Sequence, residues 1–124
     1  MKKILVAEDD EFLRNAYRVK LMKEGFDVRL ATDGREAIIL IQSFHPDLLI
    51  LDLMMPIFDG FTVLQKIKTI PEVANIPVIV ASNLGQNEDI EKAKQLGATD
   101  FVIKSDLHIK DLIVKIKQII PEPE

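Results

Sequence analysis

Four places in this 124-residue chain set polar or charged residues directly behind a short apolar run. Glu8-Asp9-Asp10 follow Ile4–Ala7, Asp52 follows Leu48–Leu51, Ser82-Asn83 follow Val78–Ala81, and Lys104 follows Phe101–Ile103. If those runs are neighbouring strands, carboxylates, a hydroxyl and an ammonium meet at one sheet edge. The carboxylates would repel there, because two unit charges ~4 Å apart cost about 4 kcal/mol at an effective dielectric of 20. A cation must offset that. Lys104 supplies one positive charge, and a hard divalent ion such as Mg2+, which takes oxygen ligands from one or two carboxylates plus waters, supplies the rest. Taken singly, each residue has an ordinary explanation. Asp10 or Glu11 caps a helix, a lone Asp marks a turn, and a lone Lys is a solvated surface charge. Their coincidence behind successive apolar runs points to a site.

The elements that must position these residues follow from hydrophobic period. The four runs are too short for helices and too uniformly apolar for half-exposed strands, which is the pattern of buried parallel strands. Phe26–Leu30 alternates apolar and polar residues, as an edge strand with one wet face does. Between the runs lie helical stretches: Asp10 to Glu24 with Phe12, Leu13, Ala16, Val19 and Leu21, ending at Gly25; Arg35 to Phe44; Phe61 to Lys68; and Glu88 to Leu96, closed by Gly97. The last is the clearest, with Ile109, Leu112, Ile113, Ile116, Ile119 and Ile120 on one stripe and Ser105 or Asp106 available to cap it. The order is βα five times. Such alternation implies an α/β doubly wound parallel sheet with right-handed crossovers and helices on both faces. Ligands in these sheets bind beyond the carboxyl ends of the strands, where the polar residues fall.

Composition excludes several classes. With 48% hydrophobic and 29% charged residues the chain reads as one soluble domain, residues 1–120, with Pro121-Glu122-Pro123-Glu124 as a tail or the start of a linker. The absence of cysteine removes disulfide scaffolds and thiolate chemistry together. A net charge of -4 gives no footprint for nucleic acid or an anionic membrane. The apolar run after Met1-Lys2-Lys3 ends at Glu8, too soon for a signal peptide, and no run is long enough to span a bilayer. A cytoplasmic location is expected.

Ile4-Leu5-Val6-Ala7-Glu8-Asp9-Asp10, Pro46 to Pro56 with Asp59-Gly60, Ile76 to Ser82, and Gly97 to Lys104 together resemble the receiver domain of two-component response regulators, over nearly the whole chain and in the right order. The resemblance implies a five-stranded, flavodoxin-like sheet of order 2-1-3-4-5. It implies that Asp52 accepts a phosphoryl group from a histidine kinase and that Glu8, Asp9, Asp52 and the backbone carbonyl of Met54 hold Mg2+. By the same resemblance Ser82 is the switch hydroxyl, Lys104 the phosphate-contacting lysine and Phe101 the aromatic switch. Pro56 and Gly60 match the loop after the acceptor strand. Output would pass to a partner protein or a C-terminal effector domain, with the fourth helix, fifth strand and last helix as the usual output and dimerisation face.

Three features depart from that pattern. Lys104 is followed by Ser105 where most relatives have proline; a cis bond before a non-proline residue costs about 2.5–4 kcal/mol, so a trans bond and a rearranged loop are expected. The aromatic switch is Phe101, not tyrosine, which leaves a purely steric switch. Met54 and Leu84 are apolar and offer no side chain to orient a water, while Asn83 narrows the approach, so slow self-dephosphorylation is expected. Competing readings are weaker. An Mg2+-dependent aspartyl phosphatase commonly carries an acid two residues after its nucleophile, where this chain has Met54. The glycines fit no nucleotide-binding fingerprint. A pseudo-receiver that serves only as an interaction module would not need Glu8, Asp9, Asp52 and Lys104 together. His45 and His108 are expected in surface or loop roles, and the continuous string Ala37–Ile41 in a largely buried helix.

Overall fold

Alternating strand and helix signals build the expected chain order in the computed structural model, which describes every residue except Leu84, Gly85, Leu107 and residues 122–124. The elements are β1 (Lys3–Ala7), α1 (Glu11–Lys23), β2 (Asp27–Ala31), α2 (Gly34–Phe44), β3 (Leu48–Leu51), α3 (Gly60–Lys68), β4 (Val78–Ser82), α4 (Asn87–Gln95), β5 (Asp100–Ile103) and α5 (Ile109–Ile119), with a 3-10 turn over Lys104–Asp106. All strands pair in parallel, in the order β2-β1-β3-β4-β5. Among the described residues no helix is long and apolar enough to cross a membrane.

The period of two along each strand divides the core. Leu5, Ala7, Leu49, Leu51, Val78 and Val80 face α2, α3 and α4, packing with Ala37, Ile41, Val63, Leu64, Ile67 and Ala93. Ile4, Val6, Leu48, Ile50, Ile79 and Ala81 face α1 and α5, packing with Tyr17, Leu21, Leu112 and Ile116. β1 and β3 are apolar on both faces because both faces are covered. Each full burial of a Leu or Ile stabilises the fold by roughly 1.5–3 kcal/mol.

Local chemistry sets the helix ends. Asp10, Asp33 and Asp59 cap α1, α2 and α3 by accepting from the backbone N–H groups of Leu13, Glu36 and Thr62. Gly25 and Gly97 follow α1 and α4 in the left-handed region, at φ 89° and 102°. His45 ends α2 and His108 precedes α5, the loop roles expected of them.

Several expectations shift. The edge strand runs one residue later than Phe26–Leu30, because Phe26 turns into the core beside Leu21. Ser82 is the last residue of β4 and is fully buried. Ser105 and Asp106 do not cap α5: the 3-10 turn takes them up, and His108 holds the N-cap position with no side-chain cap bond. Phe12 and Val19 do not join the buried stripe of α1, being 80% and 47% exposed, and Tyr17 fills the core there instead. In Ala37–Ile41, Ala37 and Ile41 are buried and only Ile39 faces solvent. Leu84 and most of the expected tail lie outside the described residues.

Candidate functional site

The register of three parallel strands creates the site. β1 and β3 pair with Ala7 opposite Leu51, so the residues that follow them, Glu8 and Asp52, emerge side by side. The Asp52 N–H donates to the Ala7 carbonyl at 3.0 Å, and the Glu8 N–H donates to the Ala31 carbonyl at 3.0 Å. These bonds continue the sheet ladder one residue past the strands and fix both backbones. β4 brings Ser82 alongside, and the turn after β5 brings Lys104 over the two acids. Glu8, Asp9, Asp10, Asp52, Met54, Ser82, Asn83 and Lys104, with Leu13, line one cavity of about 310 Å3.

Lys104 bridges the acids. Its Nζ donates to Asp52 Oδ2 at 3.0 Å and forms an ion pair with Glu8 Oε1. Glu8 and Asp52 are 2% and 5% exposed, whereas Asp9 is exposed at the cavity rim. The second oxygen of Asp52 accepts from the Met54 N–H at 3.2 Å, and the second oxygen of Glu8 accepts from the Asp10 N–H at 3.1 Å. Phe101 does not line this cavity. It is half-buried on β5, against the core beneath α2–α4.

Two supports were not singled out from sequence. The Arg14 guanidinium donates to the Glu8 and Asp9 carbonyls at 3.0 and 2.8 Å, clamping the acidic loop from the first turn of α1. Only its spacing from Glu8, six residues along the chain, offers a signal, and a surface arginine there is unremarkable by composition. Ile57 holds φ 72° in the loop after Asp52, a conformation that β-branched residues strongly avoid. Gly60 in that loop is required by contact: a Cβ there would stand 2.5 Å from the Asp52 carbonyl oxygen and 2.7 Å from Leu53 Cα. The Gly60 N–H donates to the Leu53 carbonyl at 2.9 Å, tying the start of α3 to the loop after Asp52.

The family model described as the response regulator receiver domain matches residues 4–117, and so takes in every residue of this cavity. The chain belongs to that family. Among the receiver's relatives are the probable transcriptional regulator ycf27 of Cyanophora paradoxa, 36% identical over 123 residues, and the master transcriptional regulator RpaA of Synechocystis, 32% identical over 120. These alignments cover 99% and 97% of this chain but 50% and 49% of the relatives, so the chain spans about half the length of the curated relatives it matches. The receiver domain of Francisella response regulator 1452 superposes with a TM-score of 0.89 at 31% identity, covering 96% of each chain. Vibrio cholerae chemotaxis protein CheY4 superposes at 0.90 and 25% identity, covering 97% of this chain and 99% of that one. The sheet order expected from the resemblance is the order found.

Charge in the receiver's cavity is unbalanced in favour of a divalent cation. One oxygen from each of Glu8, Asp9 and Asp52 lies within 4.8 Å of the others, against the single ammonium of Lys104. Hard oxygen donors of this kind suit Mg2+, whose ligands stand at most ~4.2 Å apart across the ion, so small side-chain movements close the set. Burial, reinforced by the neighbouring Asp52 charge, pushes the Glu8 carboxyl up from 4.5 to about 7 although Lys104 opposes it. Burial alone would lower the Lys104 pKa, but the hydrogen bonds to Glu8 and Asp52 outweigh it and hold the ammonium above its ordinary value. Tyr17 beneath the site is raised by burial. A metal-free cavity thus keeps a proton on Glu8 for part of the time near neutrality, and a cation that binds there displaces it.

Proposed function

We propose that Asp52 is the phosphoacceptor of this receiver, taking its phosphoryl group from the phosphohistidine of a histidine kinase. The observation that carries the reading is the Asp52 carboxylate at the floor of a cavity of oxygen donors, gripped by Lys104 at 3.0 Å. An Asp52 oxygen attacks phosphorus in line, the P–O bond forms, and the P–N bond breaks with its electron pair leaving on the imidazole. Mg2+, held by Glu8, Asp9, Asp52 and the Met54 carbonyl, would neutralise and align the transferring oxygens when bound. Lys104 moves from the ground-state carboxylates to a phosphoryl oxygen, a charge-assisted hydrogen bond of the stronger kind. Glu8, buried and clamped through its backbone by Arg14, holds its place throughout.

Phosphorylation adds roughly 1.5–2 negative charges and strong acceptor oxygens at one point. Ser82 lines the same cavity from the end of β4, placed to donate its hydroxyl to them. Displacing Ser82 frees room that Phe101, one strand over and without a hydroxyl, fills by rotation, so the switch is steric. Met54, 60% exposed at the rim, brings no polar group to a hydrolytic water, which supports a long-lived phosphoryl group and a switch rather than a turnover enzyme. Residues 1–120 would form the working receiver, in the cytoplasm. The output would be an effector on a longer chain or a separate protein, with self-association through α4, β5 and α5 as the family's usual mode.

Intact mass after incubation with acetyl phosphate tests this. One phosphoryl group that requires Mg2+ and is lost in Asp52→Asn is expected. A group added equally to Asp52→Asn would refute the assignment.

A further inference from the structure

Surface apolar residues in this chain are placed unevenly. Among the described residues, the exposed large hydrophobics on helices are Phe12, Val19 and Met22 of α1, Ile39 of α2 and Val114 of α5, with none on α4 or β5. Of the three elements that relatives usually use for output, only α5 carries such a residue here, Val114. Between α1 and α5 runs a groove of about 480 Å3 whose floor is Ile113 and Val114 and whose rim is Lys20, Lys23, Lys110 and Lys117 with one acid, Glu24. Lys117 is paired with Glu24 at 2.7 Å. Among the described residues Lys20, Lys23 and Lys110 have no ion-pair partner. Four of the 16 basic residues of a chain with net charge -4 thus surround one apolar strip.

We propose that this α1–α5 groove docks an acidic amphipathic helix of a partner protein. Two packed helices leave a trough that a third helix fits, with apolar residues at helical spacing entering it and carboxylates reaching both rims. Charge complementarity selects the occupant: the chain as a whole carries a net charge of -4, whereas four lysines against one glutamate line this trough. None of its residues lines the Asp52 cavity, so docking here is separable from phosphoryl chemistry.

The test is an amide NMR titration of the full chain with a synthetic helix-forming peptide that repeats Leu at i, i+3, i+4 and i+7 among Glu and Ala. Saturable shifts confined to residues 19–24 and 109–117, weakening as salt is raised, are expected. Lys20→Glu/Lys110→Glu should weaken binding by about tenfold or more, since two attractions become repulsions. Val114→Asn, a single exposed change, reads the apolar floor independently should the double variant melt early. Phosphorylation by acetyl phosphate should be unchanged in both variants, which keeps this outcome distinct from failure of the Asp52 assignment. Three results would overturn the proposal: absence of saturable shifts, equal binding of a scrambled peptide of the same composition, or capture by phosphatidylglycerol vesicles where the peptide has no effect.

Discussion

Replacing Lys104 by Met removes the one ammonium that the structure sets between two buried carboxylates while keeping its apolar stem. The Lys104–Asp52 attraction across 3.0 Å is about 5 kcal/mol at an effective dielectric of 20, before the desolvation that opposes it. Removing one partner of a buried pair costs on the order of 3–5 kcal/mol. Glu8 limits that loss, because it can take a proton. With its pKa already raised from 4.5 to about 7, it is half protonated at neutral pH, so full protonation in the variant adds only a few tenths of a kcal/mol there. At pH 9 wild-type Glu8 is ionised beside Lys104, whereas in the variant it must either remain charged against Asp52 or hold a proton at roughly 1.4 kcal/mol per pH unit. The destabilisation should therefore grow by up to roughly 2–3 kcal/mol between pH 7 and pH 9. Urea melts of both proteins at pH 6, 7, 8 and 9, without Mg2+, measure it directly, and saturating Mg2+ should shrink the difference by replacing the missing cation. A difference that stays constant with pH and is indifferent to Mg2+ would refute the bridging role assigned to Lys104.

Glu8→Gln reads the same cavity from the other side. A carboxyl raised in the folded state contributes stability that is complete below pH 4.5 and lost as the pH rises through about 7, so the variant should gain on wild type across that window and hold its lead above it, in denaturant melts without Mg2+. Ile57→Gly should raise stability by about 1 kcal/mol, through relief of the left-handed conformation at φ 72°, with acetyl phosphate labelling intact; a lower melting temperature would show that the side chain contributes more than the backbone loses. Ser82→Ala should accept a phosphoryl group normally yet show a smaller near-ultraviolet or NMR change on labelling, and equal spectral changes in the two proteins would remove the switch role.

Much of the fold was legible because burial on both faces leaves a plain mark. Leu48–Leu51 is uniformly apolar since α1 and α5 cover one side and α2 and α3 the other, whereas of the two edge strands β2 alternates and β5 buries only Val102. Its start was misplaced by one residue because Phe26 is as apolar as a strand residue while serving as a core plug. The acids, Ser82 and Lys104 were legible as a group since strand ends converge in any parallel sheet. Their grouping says nothing about Arg14, which acts on backbone carbonyls and so leaves no partner residue to notice. α1 misled through Phe12 and Val19: the periodicity of apolar residues cannot tell a core face from a surface face when a helix carries both. The cap of α5 failed for a related reason, as the 3-10 turn after Lys104 consumes Ser105 and Asp106 and has no hydrophobic signature of its own.

The identity of the acceptor is tested most directly by borohydride reduction of the protein labelled by acetyl phosphate in Mg2+, followed by peptide mass mapping. Reduction converts an aspartyl phosphate to homoserine, and homoserine at position 52 alone is predicted. Homoserine at Asp9 or Asp10, with position 52 unchanged, would contradict the central claim.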